Sequence, residues 1–169
     1  MTPGRNLVLI GMPGSGKSTL GVLVAKALGL DFVDTDLLLQ RQEGLKLAEI
    51  LDRDGAPGFL RLEDRLLATL KVDRTVVATG GSAIYHAAGM ANLQALGPVV
   101  WIDVPFRELR RRLGDLAARG VVLAPGQSLK GLFEERKPLY SRWSQVRLPS
   151  GREPLEATVD RLVRVLARG

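Results

Sequence analysis

The chain has 169 residues, of which 46% are hydrophobic and 25% are charged, as in an average globular domain with a substantial core. This composition excludes a disordered or fibrous chain, and the absence of cysteine excludes disulfide frameworks, thiolate zinc sites and cysteine nucleophiles. The net charge of +6 favours anionic partners, but aromatic residues make up only 5%, which argues against a nucleic-acid role. The single histidine, His86, is expected on the surface or in a loop rather than in a catalytic role.

Short apolar runs rich in valine and isoleucine alternate along the chain with longer stretches of helical periodicity. The predicted strands are Leu7–Ile10, residues 32–33, Thr75–Ala78, residues 99–102 and residues 146–148. The predicted helices are Lys17–Leu28 and residues 61–70, 106–116, 128–140 and 155–166. This alternation predicts a single α/β domain over residues 1–169, in which helices cover both faces of a parallel sheet.

Two stretches depart from the alternation of strands and helices. Residues 36–60 have a helical pattern that is broken by three glycines and Pro57, and residues 117–127 resemble a loop between two helices. Long loops in compact domains often bind ligands or act as lids. We therefore expect these two stretches to enclose a small substrate.

The sequence shows no membrane or export signal. No apolar run approaches the roughly 18 residues of a membrane helix, and the apolar run at residues 7–10 is too short for a signal peptide. We expect a cytoplasmic monomer whose partners are small molecules.

The strongest pattern in the chain follows the first predicted strand and opens the first predicted helix. It reads Gly11, Met12, Pro13, Gly14, Ser15, Gly16, Lys17 and Ser18, which fits the phosphate-binding pattern G-x-x-x-x-G-K-[ST], and Thr19, the next residue, is also expected to bind the nucleotide. Glycines allow backbone N–H groups to converge on phosphate oxygens, and the helix N-terminus adds its partial positive charge. Lys17 is predicted to reach the β- and γ-phosphates of a nucleotide, and the Ser18 hydroxyl is predicted to bind Mg²⁺.

The remaining motifs separate the classes of protein that carry a phosphate loop. A GTPase would contain Asn-Lys-x-Asp, which is absent, and a motor would place an acidic residue after its third strand, where residues 79–82 read Thr-Gly-Gly-Ser. The nearest acidic residues are Asp34 and Asp36, at the end of the second predicted strand. In a kinase one of them would face Mg²⁺ and the other would orient or deprotonate the acceptor hydroxyl. Alternatively, the pair is a helix cap and a solvated acid.

With these motifs in place, most of the chain resembles the shikimate kinase family. The motifs that carry the resemblance are the phosphate loop, Asp34-x-Asp36, residues 55–63 with Phe59 and Glu63, Thr79-Gly80-Gly81, and Arg136-x-Pro138-Leu139-Tyr140. The resemblance implies a P-loop NTPase fold, which is a three-layer α/β sandwich around a five-stranded parallel sheet. It also implies a helical substrate-binding insertion at about residues 36–62 and a lid at about residues 117–127.

The activity implied by the resemblance is transfer of the ATP γ-phosphate to the 3-hydroxyl of shikimate, with Mg²⁺ as the cofactor. Asp36 would hold the reacting hydroxyl and act as the general base, and Asp34 would act near Mg²⁺, through water. Gly80 and Gly81 would line the substrate pocket with backbone N–H groups.

Arginines supply the other implied contacts. Arg119 in the lid would close on the transferring phosphate, and Arg111 and the segment around Arg152 would flank the adenine. Arg136 matches the arginine that binds the substrate carboxylate, a role that suits its planar guanidinium. Each assignment has an alternative. Arg136 could instead pair with an adjacent glutamate on a helix surface, and the arginines of residues 107–112 could instead form a solvated helix face.

Three positions depart from the family's pattern. Leu60 occupies the place of a second carboxylate-binding arginine, Ser82 replaces a third glycine, and Gly120 replaces the proline of the lid. Loss of one charge-assisted hydrogen bond costs roughly 1.5–3 kcal/mol, or about ten- to a hundredfold in affinity. Arg61 is a weak substitute, because the next helix position points about 100° away. The departures leave two alternatives, a related kinase for another small hydroxylated acceptor or a nucleotide-binding relative without kinase activity.

Overall fold

The computed structural model describes residues 6–113, 126–151 and 153–168. Within these ranges one sheet is formed by β1 (Leu7–Ile10), β2 (Asp31–Asp34), β3 (Thr75–Ala78), β4 (Val99–Asp103) and β5 (Val146–Pro149). All neighbouring strands pair in parallel, in the order β2-β3-β1-β4-β5, which confirms the predicted five-stranded parallel sheet. Strands β1 and β3 are buried along their whole length, as expected for parallel strands covered on both faces. The strand order reverses at β1, and open α/β sheets bind ligands at such a point.

Helices in two layers cover the sheet. They are α1 (Lys17–Leu28), α2 (Thr35–Glu43), α3 (Leu47–Thr69), α4 (Ala87–Leu96), α5 (Phe106–Leu113), α6 (Leu129–Trp143) and α7 (Leu155–Arg168), with a 3₁₀ turn at Ala83–Tyr85. Helix α1 packs against α7 and β3, whereas α4 packs against α3 and β1, which agrees with the predicted three-layer sandwich. None of the helices in the described ranges has the length and apolar character to span a bilayer.

The predicted insertion at residues 36–62 consists of α2 and the first part of α3. Helix α3 is kinked at Gly55, whose φ of 67° is left-handed, and Pro57 follows the kink. A second apolar cluster, separate from the main core, consists of Leu39, Ile50, Phe59 and Leu66. The insertion therefore has a small core of its own, and the partly buried Leu60 packs against that core.

The helix prediction was incomplete in two places. Helix α3 begins at Leu47, well before the predicted start, because the chain accommodates a kink where a break was expected. Helix α4 was not predicted, because one residue on its buried face, Gly89, adds no side chain to the apolar pattern formed with Met90 and Leu93. A Cβ at Gly89 would lie 2.8 Å from the Leu67 Cβ, so this glycine permits the close approach of α4 to α3.

Candidate active site

A cavity of about 390 Å³ lies at the carboxyl ends of β1, β2 and β3. It is lined by Pro13, Gly14, Gly16, Lys17, Ser18, Thr19, Asp36, Leu47, Phe59, Thr79, Gly80, Gly81 and Ser82. These residues come from the phosphate loop, the insertion and the segment after β3. The structure therefore brings together in one cavity three motifs that lie apart in the sequence.

The phosphate loop joins β1 to α1. Gly16, immediately before α1, has a left-handed backbone with φ 90° and ψ 17°, which glycine adopts without strain. The first N–H groups of a helix have no partner within it and bind anions, and the first turn of α1 contains no acidic residue that would compete. The loop and helix thus have the geometry predicted for binding nucleotide phosphates.

Lys17 is buried in the phosphate loop, with only 8% of its surface exposed. Its Nζ donates hydrogen bonds to the carbonyl oxygens of Gly11 and Met12, each at 2.9 Å. Burial lowers the pKa of Lys17 to about 8, although the charges of Asp36 and Asp34 oppose this shift. Lys17 is therefore still mainly cationic at neutral pH, and phosphate oxygens would give it stronger, charge-assisted hydrogen bonds than the carbonyls do.

Ser18 and Asp34, the predicted metal-side residues, are in direct contact. Ser18 Oγ donates to Asp34 Oδ2 at 2.6 Å, while Asp34 Oδ1 accepts from the Asp36 N–H at 2.9 Å and caps α2. The cap proposed as an alternative is thus present, together with the contact to the phosphate loop. No group of three acidic or histidine side chains suited to a metal occurs in the described part of the chain. A hydroxyl and one carboxylate fit Mg²⁺, which takes its other ligands from water and phosphate.

Asp36 is half-buried in the first turn of α2 and faces Gly80. A Cβ at Gly80 would lie 2.7 Å from Asp36 Oδ1 and 2.5 Å from Glu63 Oε1, so only glycine fits between the two carboxylates. Desolvation raises the pKa of Asp36 to about 7; the charges of Asp34 and Glu63 add to this shift, and Lys17 opposes it. A carboxylate with this pKa is suited to accept a proton near neutral pH.

The raised pKa of Asp36 predicts a pH-dependent stability difference for Asp36→Asn. The folded-state pKa of Asp36 lies above the unfolded value, so between about pH 4 and about pH 7 this carboxyl ionises more readily in the unfolded chain than in the ligand-free fold. The free energy of unfolding therefore falls as the pH rises through this range. Asparagine removes that charge, so we expect the Tm of Asp36→Asn to match wild type near pH 4 and to exceed it above about pH 8. Scanning calorimetry of the ligand-free proteins measures this difference, with Asp31→Asn at the exposed start of β2 as the control. Equal Tm values at both pH values would contradict the raised pKa.

Glu63 lies behind Gly80 and organises a buried polar cluster. It is 2% exposed, and its Oε2 accepts a hydrogen bond from Ser82 Oγ at 2.6 Å and lies 2.8 Å from His86 Nε2. His86 precedes α4, outside any helix, but it is buried and not at the surface, because its ring packs onto this carboxylate. Of the two positions expected for His86, the surface position was therefore wrong, whereas the loop position is confirmed. The residues of this cluster lie 19 and 23 positions from Glu63, so no local pattern in the sequence connects them.

Arg136 is buried directly behind Gly81, which lines the cavity. Its exposure of 2% excludes the surface ion pair considered as an alternative. Its Nε donates to Tyr85 Oη at 3.2 Å, and a Cβ at Gly81 would lie 2.9 Å from its Nη1. Arg136 forms no ion pair with any described carboxylate, so its charge is available to a bound anion.

Gly80 and Gly81 both line the cavity, as predicted, and one backbone group of each is hydrogen-bonded within the protein. The Gly80 N–H donates to Thr35 Oγ1 at 3.2 Å, and the Gly81 carbonyl accepts from Tyr140 Oη at 2.8 Å. The Gly80 N–H therefore ties the end of β3 to the start of α2, rather than pointing at the acceptor as expected.

The arginines at the end of α5 divide into two environments. Arg111 has 76% of its side chain exposed and pairs with Glu108 at 2.7 Å, as on a solvated helix face. Arg112 also pairs with Glu108, and its guanidinium reaches the carbonyls of Gly14 and Gly151, each at 3.4 Å. Arg112 thus links the phosphate loop to the segment before α7, a contact that the charge pattern alone did not predict.

The other predicted arginines contribute no described group to the cavity. Arg61 is exposed on α3 and does not line the cavity, in agreement with its different helix position. Arg119 and Arg152, like Gly120 and residues 117–125 of the predicted lid, lie outside the described residues.

A larger cavity, of about 600 Å³, lies beside the ends of β4 and β5 and shares no lining residue with the first. Most of its charged side chains are paired with one another: Arg147 with Asp103 at 2.5 Å, and Arg161 with Glu153. Because these charges are mutually neutralised, the smaller cavity, with Lys17, Asp36 and the phosphate loop, is the stronger candidate for the active site.

Comparison with known proteins identifies the family. A model of the family described as shikimate kinase matches residues 13–167. The shikimate kinase of Synechococcus sp. strain RCC307 is 44% identical over 143 residues, which cover 82% of this chain and 73% of the relative. The shikimate kinase of Synechococcus elongatus is 36% identical over 167 residues, with 96% and 87% covered.

Solved structures agree with the sequence comparison. The structure of shikimate kinase from Acinetobacter baumannii in complex with shikimate has a TM-score of 0.89 at 28% identity, with 97% of this chain and 93% of that chain covered. Shikimate kinase from Aquifex aeolicus has a TM-score of 0.82 at 32% identity, with 96% of each chain covered. These similarities confirm the predicted P-loop NTPase fold. The chain belongs to the shikimate kinase family, whose members are ATP-dependent kinases.

Proposed function

We propose that this chain transfers the γ-phosphate of ATP to the 3-hydroxyl of shikimate, with Asp36 as the general base. The observation that carries this proposal is one cavity lined by the phosphate loop, Asp36 and Gly81, with Arg136 directly behind Gly81. In such a cavity a nucleotide phosphate, an acceptor hydroxyl and an acceptor carboxylate each meet a group of the right chemistry. The bound shikimate in the A. baumannii structure supports the same acceptor for this chain.

The phosphate loop holds the nucleotide in this proposal. The N–H groups at the start of α1 and the Lys17 ammonium bind the β- and γ-phosphates. Ser18 and Asp34, already 2.6 Å apart, would hold Mg²⁺, with Asp34 acting through water. Mg²⁺ held there would supply positive charge that offsets the charge of the nucleotide phosphates.

Asp36 carries out the proton transfer. Its carboxylate accepts a hydrogen bond from the 3-hydroxyl and takes the proton as the hydroxyl oxygen bonds to the γ-phosphorus. The bond from the γ-phosphorus to the β,γ-bridging oxygen breaks, and ADP leaves. The resemblance further supports Arg119 as the group that closes on the transferring phosphate, and Arg111 and Arg152 as the groups that flank the adenine.

Leu60 favours a second candidate, a related kinase for a hydroxylated acceptor that has no carboxylate. Its side chain packs against the apolar cluster of the insertion and carries no charge. Among the described residues, Arg136 behind Gly81 is then the arginine placed to bind a carboxylate. The choice between the two candidates depends on whether Arg136 alone binds the carboxylate of shikimate tightly enough for turnover.

Release of ADP from Mg-ATP in a coupled assay at neutral pH tests the function, with shikimate and with neutral hydroxylated metabolites as acceptors. We expect shikimate to stimulate the release strongly. Stimulation by a neutral acceptor alone would establish the second candidate. A rate that no acceptor increases would contradict both kinases and identify a nucleotide-binding relative without kinase activity.

Restoring a guanidinium on α3 should strengthen the binding of shikimate. We expect Leu60→Arg to lower the KM for shikimate by about tenfold or more, because it adds a second charge-assisted contact to the carboxylate. The KM for ATP should not change. Steady-state kinetics measure both constants, and Ala48→Arg adds the same charge at an exposed position of α3 as the control. An unchanged KM for shikimate in Leu60→Arg would favour another acceptor.

The partners in this proposal are ATP and a small anionic acceptor. That the working unit is a monomer stays a prediction. The anionic partners also account for the positive net charge without nucleic acid. The cytoplasmic location stays a prediction.

A further inference from the structure

Tyr85, on the 3₁₀ turn before α4, holds Arg136 from one side. The centroid of its ring lies 5.2 Å from the guanidinium carbon, within cation–π range, and its Oη accepts a hydrogen bond from Arg136 Nε at 3.2 Å. The Tyr85 hydroxyl in turn donates to Glu135, whose other carboxylate oxygen accepts from Gln127 Nε2 at 2.7 Å. Arg136 is thus the inner end of a chain of polar contacts that runs out to the surface.

The contact with Tyr85 determines which part of Arg136 remains available. Because Nε donates to the Tyr85 hydroxyl, Nη1 and Nη2 remain to bind a further partner, and the phenol of Tyr140 also lies within hydrogen-bonding reach of this guanidinium. Nη1 lies beside Gly81 at the cavity wall, and Tyr140 holds Gly81 in place through its carbonyl. Two N–H donors at the end of one guanidinium match the two oxygens of a carboxylate.

The phenol of Tyr85 keeps its proton in this arrangement. Desolvation and the hydrogen bond to Glu135 raise the pKa of Tyr85, so its oxygen donates to Glu135 and still offers a lone pair to Arg136. Tyr85 is 38% exposed, so these polar contacts, more than burial, hold the ring against the guanidinium.

We propose that Tyr85 is a positioning residue for Arg136, which it orients so that both Nη groups face the carboxylate of the acceptor. This restraint offsets the absence of a second arginine at Leu60, because an arginine that is already ordered loses less side-chain entropy when the acceptor binds. The inference rests on the proposed function, since it takes Arg136 as the group that binds the carboxylate.

Tyr85→Phe tests the inference, because it keeps the ring and removes the oxygen that binds Arg136. We expect the KM for shikimate to rise by about tenfold, with kcat and the KM for ATP within about twofold of wild type. The methyl ester of shikimate, which has no carboxylate charge, should show the same KM with both proteins. Adding Leu60→Arg to Tyr85→Phe should bring the KM for shikimate back down, because the second guanidinium then supplies the lost binding.

Arg136→Gln separates failure of this inference from failure of the proposed function. If Arg136→Gln raises the KM for shikimate and Tyr85→Phe does not, Tyr85 has no positioning role, while the proposed function stands. If Arg136→Gln leaves the KM for shikimate unchanged, Arg136 does not bind the carboxylate. Its proposed role in the site and the positioning role of Tyr85 are then both overturned. If Tyr85→Phe weakens the binding of shikimate, its ester and ATP alike, the residue is merely structural and the inference is overturned.

Discussion

We expect Asp36→Asn to lower kcat for shikimate phosphorylation by about 10²- to 10⁴-fold, the usual contribution of a general base. Asparagine has nearly the same shape but cannot take the proton of the acceptor hydroxyl. The KM values for ATP and shikimate should change much less than kcat, because the walls of the cavity and the phosphate loop are untouched. Steady-state assays at saturating ATP and shikimate measure the effect.

The control for this variant is Asp31→Asn, which removes the same charge at the exposed start of β2. That variant should retain wild-type turnover. Near-wild-type turnover of Asp36→Asn would show that the proton goes elsewhere, and Asp36 would lose its role as the base.

We expect Lys17→Met to lower kcat/KM for ATP by about 10²- to 10³-fold, the typical effect of removing one preorganised donor from a site of developing charge. Methionine keeps the unbranched apolar stem that is buried in the phosphate loop, so the fold should survive. The Gly11 and Met12 carbonyls lose their partner, and we expect a modest fall in Tm for that reason.

Lys26→Met makes the same substitution at the exposed end of α1 and should leave activity unchanged. Full activity of Lys17→Met would contradict the assignment of the loop to the transferring phosphate. A protein that no longer melts cooperatively would instead show that the ammonium is needed for folding, and Lys17→Arg, which keeps a charge at this position, then tests the catalytic role.

The phosphate-binding half of the site was predictable because it is local. Strand β1, the glycine-rich turn and Lys17 follow one another within a single pattern, and the backbone geometry follows from glycine at position 16. Asp34 was also predictable, because the carboxyl ends of parallel strands meet at one edge of a sheet and place it beside Ser18. In both cases, short-range chemistry and simple topology determine the geometry.

The substrate-binding half was predicted only in part, because its contacts join distant segments. Tyr85 and Arg136 are 51 residues apart, and nothing near either of them indicates the other. His86 is buried because it contacts Glu63, which lies on α3, and the residues around His86 in the sequence do not indicate this contact. The hydrogen bond from the Gly80 N–H to Thr35 likewise depends on how α2 meets the sheet. Such contacts depend on tertiary packing, which residue patterns do not encode.

Detection of the phosphorylated product tests the central claim most directly. Phosphorus NMR of a reaction with Mg-ATP and shikimate follows the γ-phosphate for wild type and for Asp36→Asn. With wild type we expect one new phosphate monoester of shikimate for each ADP formed, and with Asp36→Asn almost none. Formation of ADP with inorganic phosphate and no shikimate ester would contradict the account, because the cavity would then hydrolyse ATP without delivering its phosphate to the acceptor.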